Sequence, residues 1–138
     1  VPQLAYGDAV GAIGDGVAPA IQDDPYTGDE IIVFGVGMRF YHIRWDTAFN
    51  DWVTWQWIAT KGTAGTSSAV IDDNGWSYIF DSAGYLMAFY RYGPWWAPTV
   101  FSKKLATQGT LAGGIIIGND GMLFVPSRNS TFYGLGAP

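Results

Sequence analysis

The feature that most restricts how this chain can fold is a strand–turn–strand unit that recurs at a constant spacing. In its middle copy, residues 67–92 (SSAVIDDNGWSYIFDSAGYLMAFYRY), three β-branched or aromatic runs occupy 67–71, 76–80 and 85–90. Such runs suit pleated, half-buried strands. Asp72-Asp73-Asn74-Gly75 and Asp81-Ser82-Ala83-Gly84 lie between them; these residues bond nearby backbone or tolerate positive φ, as tight turns demand. A downstream copy follows at an offset of 46, from Ile71 to Ile117, Gly75 to Gly121, Phe80 to Pro126 and Leu86 to Phe132. The upstream copy gives the same 46 from Ile31 to Ser77, Phe34 to Phe80 and Phe40 to Leu86. Its opening strand, 17–21, is displaced further, since Ala20 to Val70 is 50, and Pro25-Tyr26-Thr27-Gly28 marks the insertion. A period in the forties built of short strands and Gly-rich turns predicts β-propeller blades.

Each blade also calls for a fourth strand. Trp55 to Gly62 follows the first copy and Phe101 to Gly109 follows the second, while the third copy runs to Pro138 without one. Val1-Pro2-Gln3-Leu4-Ala5-Tyr6-Gly7 resembles those segments, so residues 1–8 read as a detached fourth strand completing a blade. The expected organisation is one all-β domain over 1–138, with blade 1 at 17–62, blade 2 at 67–109 and an incomplete blade 3 at 113–138. Residues 45–53 read as a polar, aromatic loop, and no stretch holds a helical period.

That loop carries a resemblance. Tyr41-His42-Ile43-Arg44-Trp45-Asp46-Thr47-Ala48-Phe49-Asn50-Asp51-Trp52 is similar to the blade pattern of the PQQ-like, quinoprotein-type β-propellers, a Tyr-Ala-Leu-Asp-Ala strand followed by x-Thr-Gly-x-x-x-Trp. The match falls at Tyr41, Ile43, Thr47 and Trp52, and Ala48 replaces the turn glycine. Ala18-Pro19-Ala20-Ile21, Ser67-Ser68-Ala69-Val70-Ile71 and Gly113 to Gly121 resemble the family's first-strand phrase. In the second copy Tyr92-Gly93-Pro94-Trp95-Trp96-Ala97-Pro98 stands where the Thr-Gly turn and docking Trp would be. The resemblance implies a propeller fold with Thr47 and Trp52 docking neighbouring blades. Catalytic members of the family use a larger ring, a stacked Trp, a calcium ligand set with a catalytic Asp and often an adjacent Cys pair. A chain with three blades and no Cys is expected to be a non-catalytic member, or part of one, with no bound cofactor.

Composition sharpens these expectations. A chain of 138 residues is one domain long. Without Cys it has no disulfide framework, thiolate metal site or Cys nucleophile. A formal net charge of -5, with the seven Lys and Arg mostly dispersed, argues against a nucleic-acid groove. No apolar run reaches the roughly 18 residues of a membrane-spanning helix. The first residue is Val1 rather than Met, consistent with removal of an export signal or with truncation; an extracytoplasmic location, periplasmic or secreted, is the expectation.

Three blades leave two broad flanks to be covered, because propeller rings usually close with four to eight and soluble monomers rarely expose apolar patches above a few hundred Å². A second copy of the chain, the rest of a longer ring, or other subunits of a complex would each cover them. Aromatic side chains supply the anchors expected of such contacts. Trp45, Phe49 and Trp52 lie in one loop and Tyr92, Trp95 and Trp96 in its counterpart. Beside Asp46 and Asp51 the same aromatics could stack on a glycan. Asp23-Asp24, Asp72-Asp73-Asn74 and Asn119-Asp120 recur at one turn of each copy. They read as turn formers, since they lack the alternate-residue spacing of a calcium loop. His42, the only histidine, replaces Ala88 of the next copy and has no nucleophile motif near it, so it reads as a packed strand residue rather than a catalytic base. The expected function is a non-catalytic binding or scaffolding propeller element. A glycan-binding lectin and a fragment of a quinone-dependent oxidoreductase are the alternatives.

Overall fold

A computed structural model describes residues 18–24, 28–64, 67–92, 96–105, 114–126 and 132–136. Among them the regular structure is entirely β, without a helix. The first sheet comprises β1 (Ala20–Asp23), β2 (Glu30–Val36), β3 (Arg39–Asp46) and β4 (Asp51–Ala59). The second comprises β5 (Val70–Ile71), β6 (Trp76–Phe80), β7 (Tyr85–Tyr90) and β8 (Thr99–Lys104), and the third β9 (Ile116–Ile117), β10 (Leu123–Pro126) and β11 (Phe132–Leu135). Each is an antiparallel meander in chain order, so each forms from consecutive hairpins.

Strands β6 and β7 fall where the aromatic and β-branched runs between the two turns predict. The expected loop at 45–53 does not: β3 runs on to Asp46 and β4 begins at Asp51. Trp45 and Trp52 face each other across the pair with ring centroids 5.7 Å apart and planes at 78°, and such cross-strand aromatic pairs stabilise a hairpin. Only 47–50 remain as a turn, with Asn50 at φ 52. Asp46 Oδ1 accepts the Ala48 amide there at 2.8 Å. Both fourth strands thus begin and end earlier than expected, at Asp51–Ala59 and Thr99–Lys104. The proposed strand at 1–8 lies outside the described residues.

The sheets pack face to face in a row. Val33, Phe40 and Ile58 of the first meet Ile79, Met87 and Phe89 of the second, and Phe40 meets Phe89 edge to face at 4.8 Å. The second sheet's reverse face sends Phe80 and Leu86 against Ile115, Leu123 and Val125 of the third. Side chains alternate across a strand, so Ile79 and Phe80, adjacent in sequence, serve opposite neighbours. Fully burying one side chain of this size is worth about 1.5–3 kcal/mol. A further cluster of Phe34, Val36, Tyr41 and Ile43 lies on the first sheet's other face and draws its members from that sheet. The opening segments of the sheets lie side by side: the Ala69 amide donates to the Ala18 carbonyl at 3.3 Å, and Ser68 bridges Gly114.

Register tests the repeat. Between second and third sheets the offset holds throughout: Val70 pairs with Tyr78 and Ile116 with Phe124, each 46 apart, as are Ser77–Phe89 and Leu123–Leu135. Between first and second it holds for β3, where Phe40 and Leu86 both face the following sheet. It fails for β2. Phe34 lies on the first sheet's outer face and Phe80 faces the third sheet, so these positions are not equivalent; Val33 matches Tyr78 instead, an offset of 45. The turn explains the slip. Val36 pairs directly with Arg39 around Gly37 at φ 58, whereas the Asp81 amide donates to the Tyr85 carbonyl around a turn one residue longer.

Two contacts lock the first sheet to the second. A Cβ on Gly35 would collide with the Ala64 carbonyl and Ile79 Cδ1, so only glycine permits this approach. The buried Asp81 carboxylate accepts the Lys61 and Gly62 amides on Oδ2 at 2.8 and 3.0 Å, and the Ala83 and Tyr85 amides on Oδ1, both at 3.0 Å.

Candidate functional site

The aromatic residues singled out in the sequence do not gather into one patch. Trp45 and Trp52 are half-buried, and Trp52 packs beside the outer-face cluster of the first sheet. Phe49, at the tip of the same hairpin, is 76% exposed, and Thr47 is exposed beside it. Tyr92 turns inward: its ring lies 5.6 Å from that of Tyr90 and its hydroxyl reaches Asp24 Oδ1 at 3.5 Å. Trp96 is 71% exposed, and Trp95 lies outside the described residues. Among the described residues singled out in the sequence, Phe49 at the 47–50 hairpin tip and Trp96 ahead of β8 are the strongly exposed rings. Val100 and Phe101 on β8 are also exposed, on opposite faces of that strand.

Two of the three acidic turns are occupied by local bonding. Asp72 Oδ1 accepts the Asn74 and Trp76 amides at 2.9 and 2.8 Å, and its Oδ2 accepts the Tyr78 hydroxyl at 2.8 Å. Burial and that bond hold the Tyr78 proton, pushing its pKa up. Asp120 Oδ1 accepts the Met122 amide at 3.1 Å. Among the described residues no three His, Asp or Glu side chains are grouped to hold a metal ion.

His42 lies between the first and second sheets, its ring stacked 6.0 Å from Phe89. Gln56, opposite it on β4, places Nε2 at 3.4 Å from His42 Nδ1 and donates to the Arg91 carbonyl at 3.1 Å. The Arg91 guanidinium donates in turn to the Trp76 and Asp72 carbonyls at 3.1 and 3.2 Å. Burial first, then Arg91 and Arg44, lower the His42 pKa to about 3, with Asp24 opposing. A neutral, enclosed ring of this kind suits a packed hydrogen-bonding role.

Several side chains of this region carry no motif. Arg44 pairs with Asp29 at 3.4 Å and lies over the Trp55 ring at 4.3 Å, and Arg39 covers Trp57 at 4.1 Å. Gln56 and Arg91 become neighbours only when the sheets stack. The available signal was a polar residue inside an aromatic strand run, Gln56 in Trp55-Gln56-Trp57 and Arg91 in Tyr90-Arg91-Tyr92.

No protein-family model matches the chain, and no curated protein does. Among the described residues no helix is long and apolar enough to cross a membrane.

Proposed function

We propose that this chain is a non-catalytic binding and scaffolding element built of PQQ-like β-propeller blades, and that it mediates assembly with other protein chains, a second copy of itself among them. The observation that carries this reading, among the described residues, is the exposed outer face of the third sheet at Ile116. Val70 of the second sheet packs toward the third sheet, whereas Ile116, its counterpart 46 residues on, is 60% exposed. The opening segments lying side by side, and the three meanders stacked by alternate faces, support the blade reading. Rigid sheets hold the exposed Phe49 and Trp96 in place, and aromatic anchors of this kind concentrate binding energy. Measuring the native mass, with and without Ile116→Asp, tests the reading. A mass near twice that of the chain, reduced by the substitution, supports self-assembly, and stable co-purification with other subunits supports a mixed complex. A monodisperse monomer that recruits nothing overturns both.

A glycan-binding alternative draws on the Trp45–Trp52 pair, which sits directly beside the paired Asp46 and Asp51. Saturable binding on a glycan array, abolished by Trp52→Ala, would favour it.

A further inference from the structure

Among the described residues, six buried side-chain atoms lack a hydrogen-bond partner: Gln22 Oε1, His42 Nε2, Arg44 Nε, Gln56 Oε1, Ser77 Oγ and Arg91 Nε. Register places all six on the facing sides of the first two sheets. His42 is opposite Val33 and Gln56, and the next row on the same face joins Gln22, through Ile31, to Arg44. Across the seam Ser77 is opposite Phe89, which belongs to the core shared with the first sheet, and Arg91 lies two residues further along that face. His42, Gln56, Ser77 and Arg91 are each at most 3% exposed.

The chemistry of the six can be assigned. Gln56 Nε2 donates to the Arg91 carbonyl and faces His42 Nδ1, so Nδ1 accepts and the neutral ring carries its proton on Nε2. The seam then offers three fixed donors, at His42, Arg44 and Arg91, two amide acceptors, at Gln22 and Gln56, and one hydroxyl that can act either way. Each group left unpaired would cost about 1–3 kcal/mol, and six together approach the whole stability of a domain, about 5–15 kcal/mol. An anion would satisfy the donors and leave the amide oxygens stranded. A metal cation would satisfy the oxygens and meet two guanidinium groups. A hydroxyl group, small and able both to donate and to accept, answers both halves.

We propose that the polar half of the seam between the first and second sheets is a binding site for hydroxyl groups, supplied by ordered water or by a small polyol. The site is separate from the open flank on which the scaffolding reading rests, and either can fail alone. Buried water bridges such groups with two to four hydrogen bonds, and a vicinal diol presents the same donors and acceptors.

Cross-relaxation of the His42 Nε2–H and the Arg44 and Arg91 Nε–H protons tests this in 15N-labelled protein. In polyol-free buffer the expected result is slow-exchanging protons with direct transfer from long-lived water. On titration with glycerol or glucose, transfer from carbon-bound protons with a saturable shift would assign the site to a polyol instead. Either result supports the proposal, and no transfer from either source overturns it. Ser77→Ala gives a second measure. With bridged hydroxyls it lowers Tm by about 5 °C and weakens the transfer; with a dry seam it removes an unpaired group, and an unchanged or higher Tm overturns the proposal. Gln22→Leu, in a less buried place, repeats the measurement if Ser77→Ala does not fold.

Discussion

The two seams of this molecule join the same kinds of sheet by different means. Between second and third sheets the buried contact is apolar, with Phe80 and Leu86 set against Ile115, Leu123 and Val125. Between first and second an apolar half continues into a polar one, where His42, Gln56 and Arg91 are buried together. Position by position, His42 on the first sheet stands where Ala88 stands on the second. Apolar contact is non-directional and scales with area, so the second seam specifies that sheets stack without strongly specifying how. The first seam fixes which groups must meet, at the desolvation cost that buried polar groups carry.

Acidification should separate the seams most sharply. The folded protein holds His42 with a pKa of about 3 against an ordinary value of 6.5, through burial and the guanidinium groups of Arg91 and Arg44, with Asp24 acting oppositely. The unfolded chain binds that proton more readily, so this contribution is fully present above about pH 6.5 and is lost as pH falls toward 3, amounting to roughly 4–5 kcal/mol. Denaturant melts from pH 7 to pH 4 should show the decline, and His42→Leu should flatten it; a parallel decline in the variant would place the sensitivity elsewhere. Phe80→Ala should destabilise by about 3–5 kcal/mol, with hydrogen exchange accelerating first in the third sheet. Equal acceleration in the first sheet would show that the seams are not independent. Gly35→Ala forces a methyl group against the Ala64 carbonyl and Ile79 and should cost about 1–3 kcal/mol, confined to the first seam. Phe49→Ala removes an exposed ring from neither seam and should shift stability by less than about 0.5 kcal/mol, while weakening any partner contact read by native mass.

Much of the fold is legible in the sequence because aromatic and β-branched runs, punctuated by Asp, Asn, Ser and Gly turns, recur at a fixed spacing. They locate β6 and β7, the tight turns and the all-β class. The slip in β2 is not legible, since a turn shortened by one residue shifts register without altering the look of either strand. Nor is the extension of β3 and β4 through Trp45 and Trp52, where a cross-strand aromatic contact outweighs the polar appearance of the segment. Of the candidate site, exposure is the part that eluded the sequence: Phe49 and Trp96 face outward, while Tyr92 turns toward Asp24. The polar seam depends on Gln56 and Arg91, 35 residues apart in the chain, and alternation says which face a residue takes without naming the sheet that will meet it.

The buried carboxylate of Asp81 has a bearing on synthesis. As the chain leaves the ribosome, Lys61 and Gly62 emerge about twenty residues ahead of the acceptor that will receive their amides. The trailing end of the first meander therefore waits on the next hairpin for its hydrogen bonds, and a chain cut before Asp81 would leave those two amides to water.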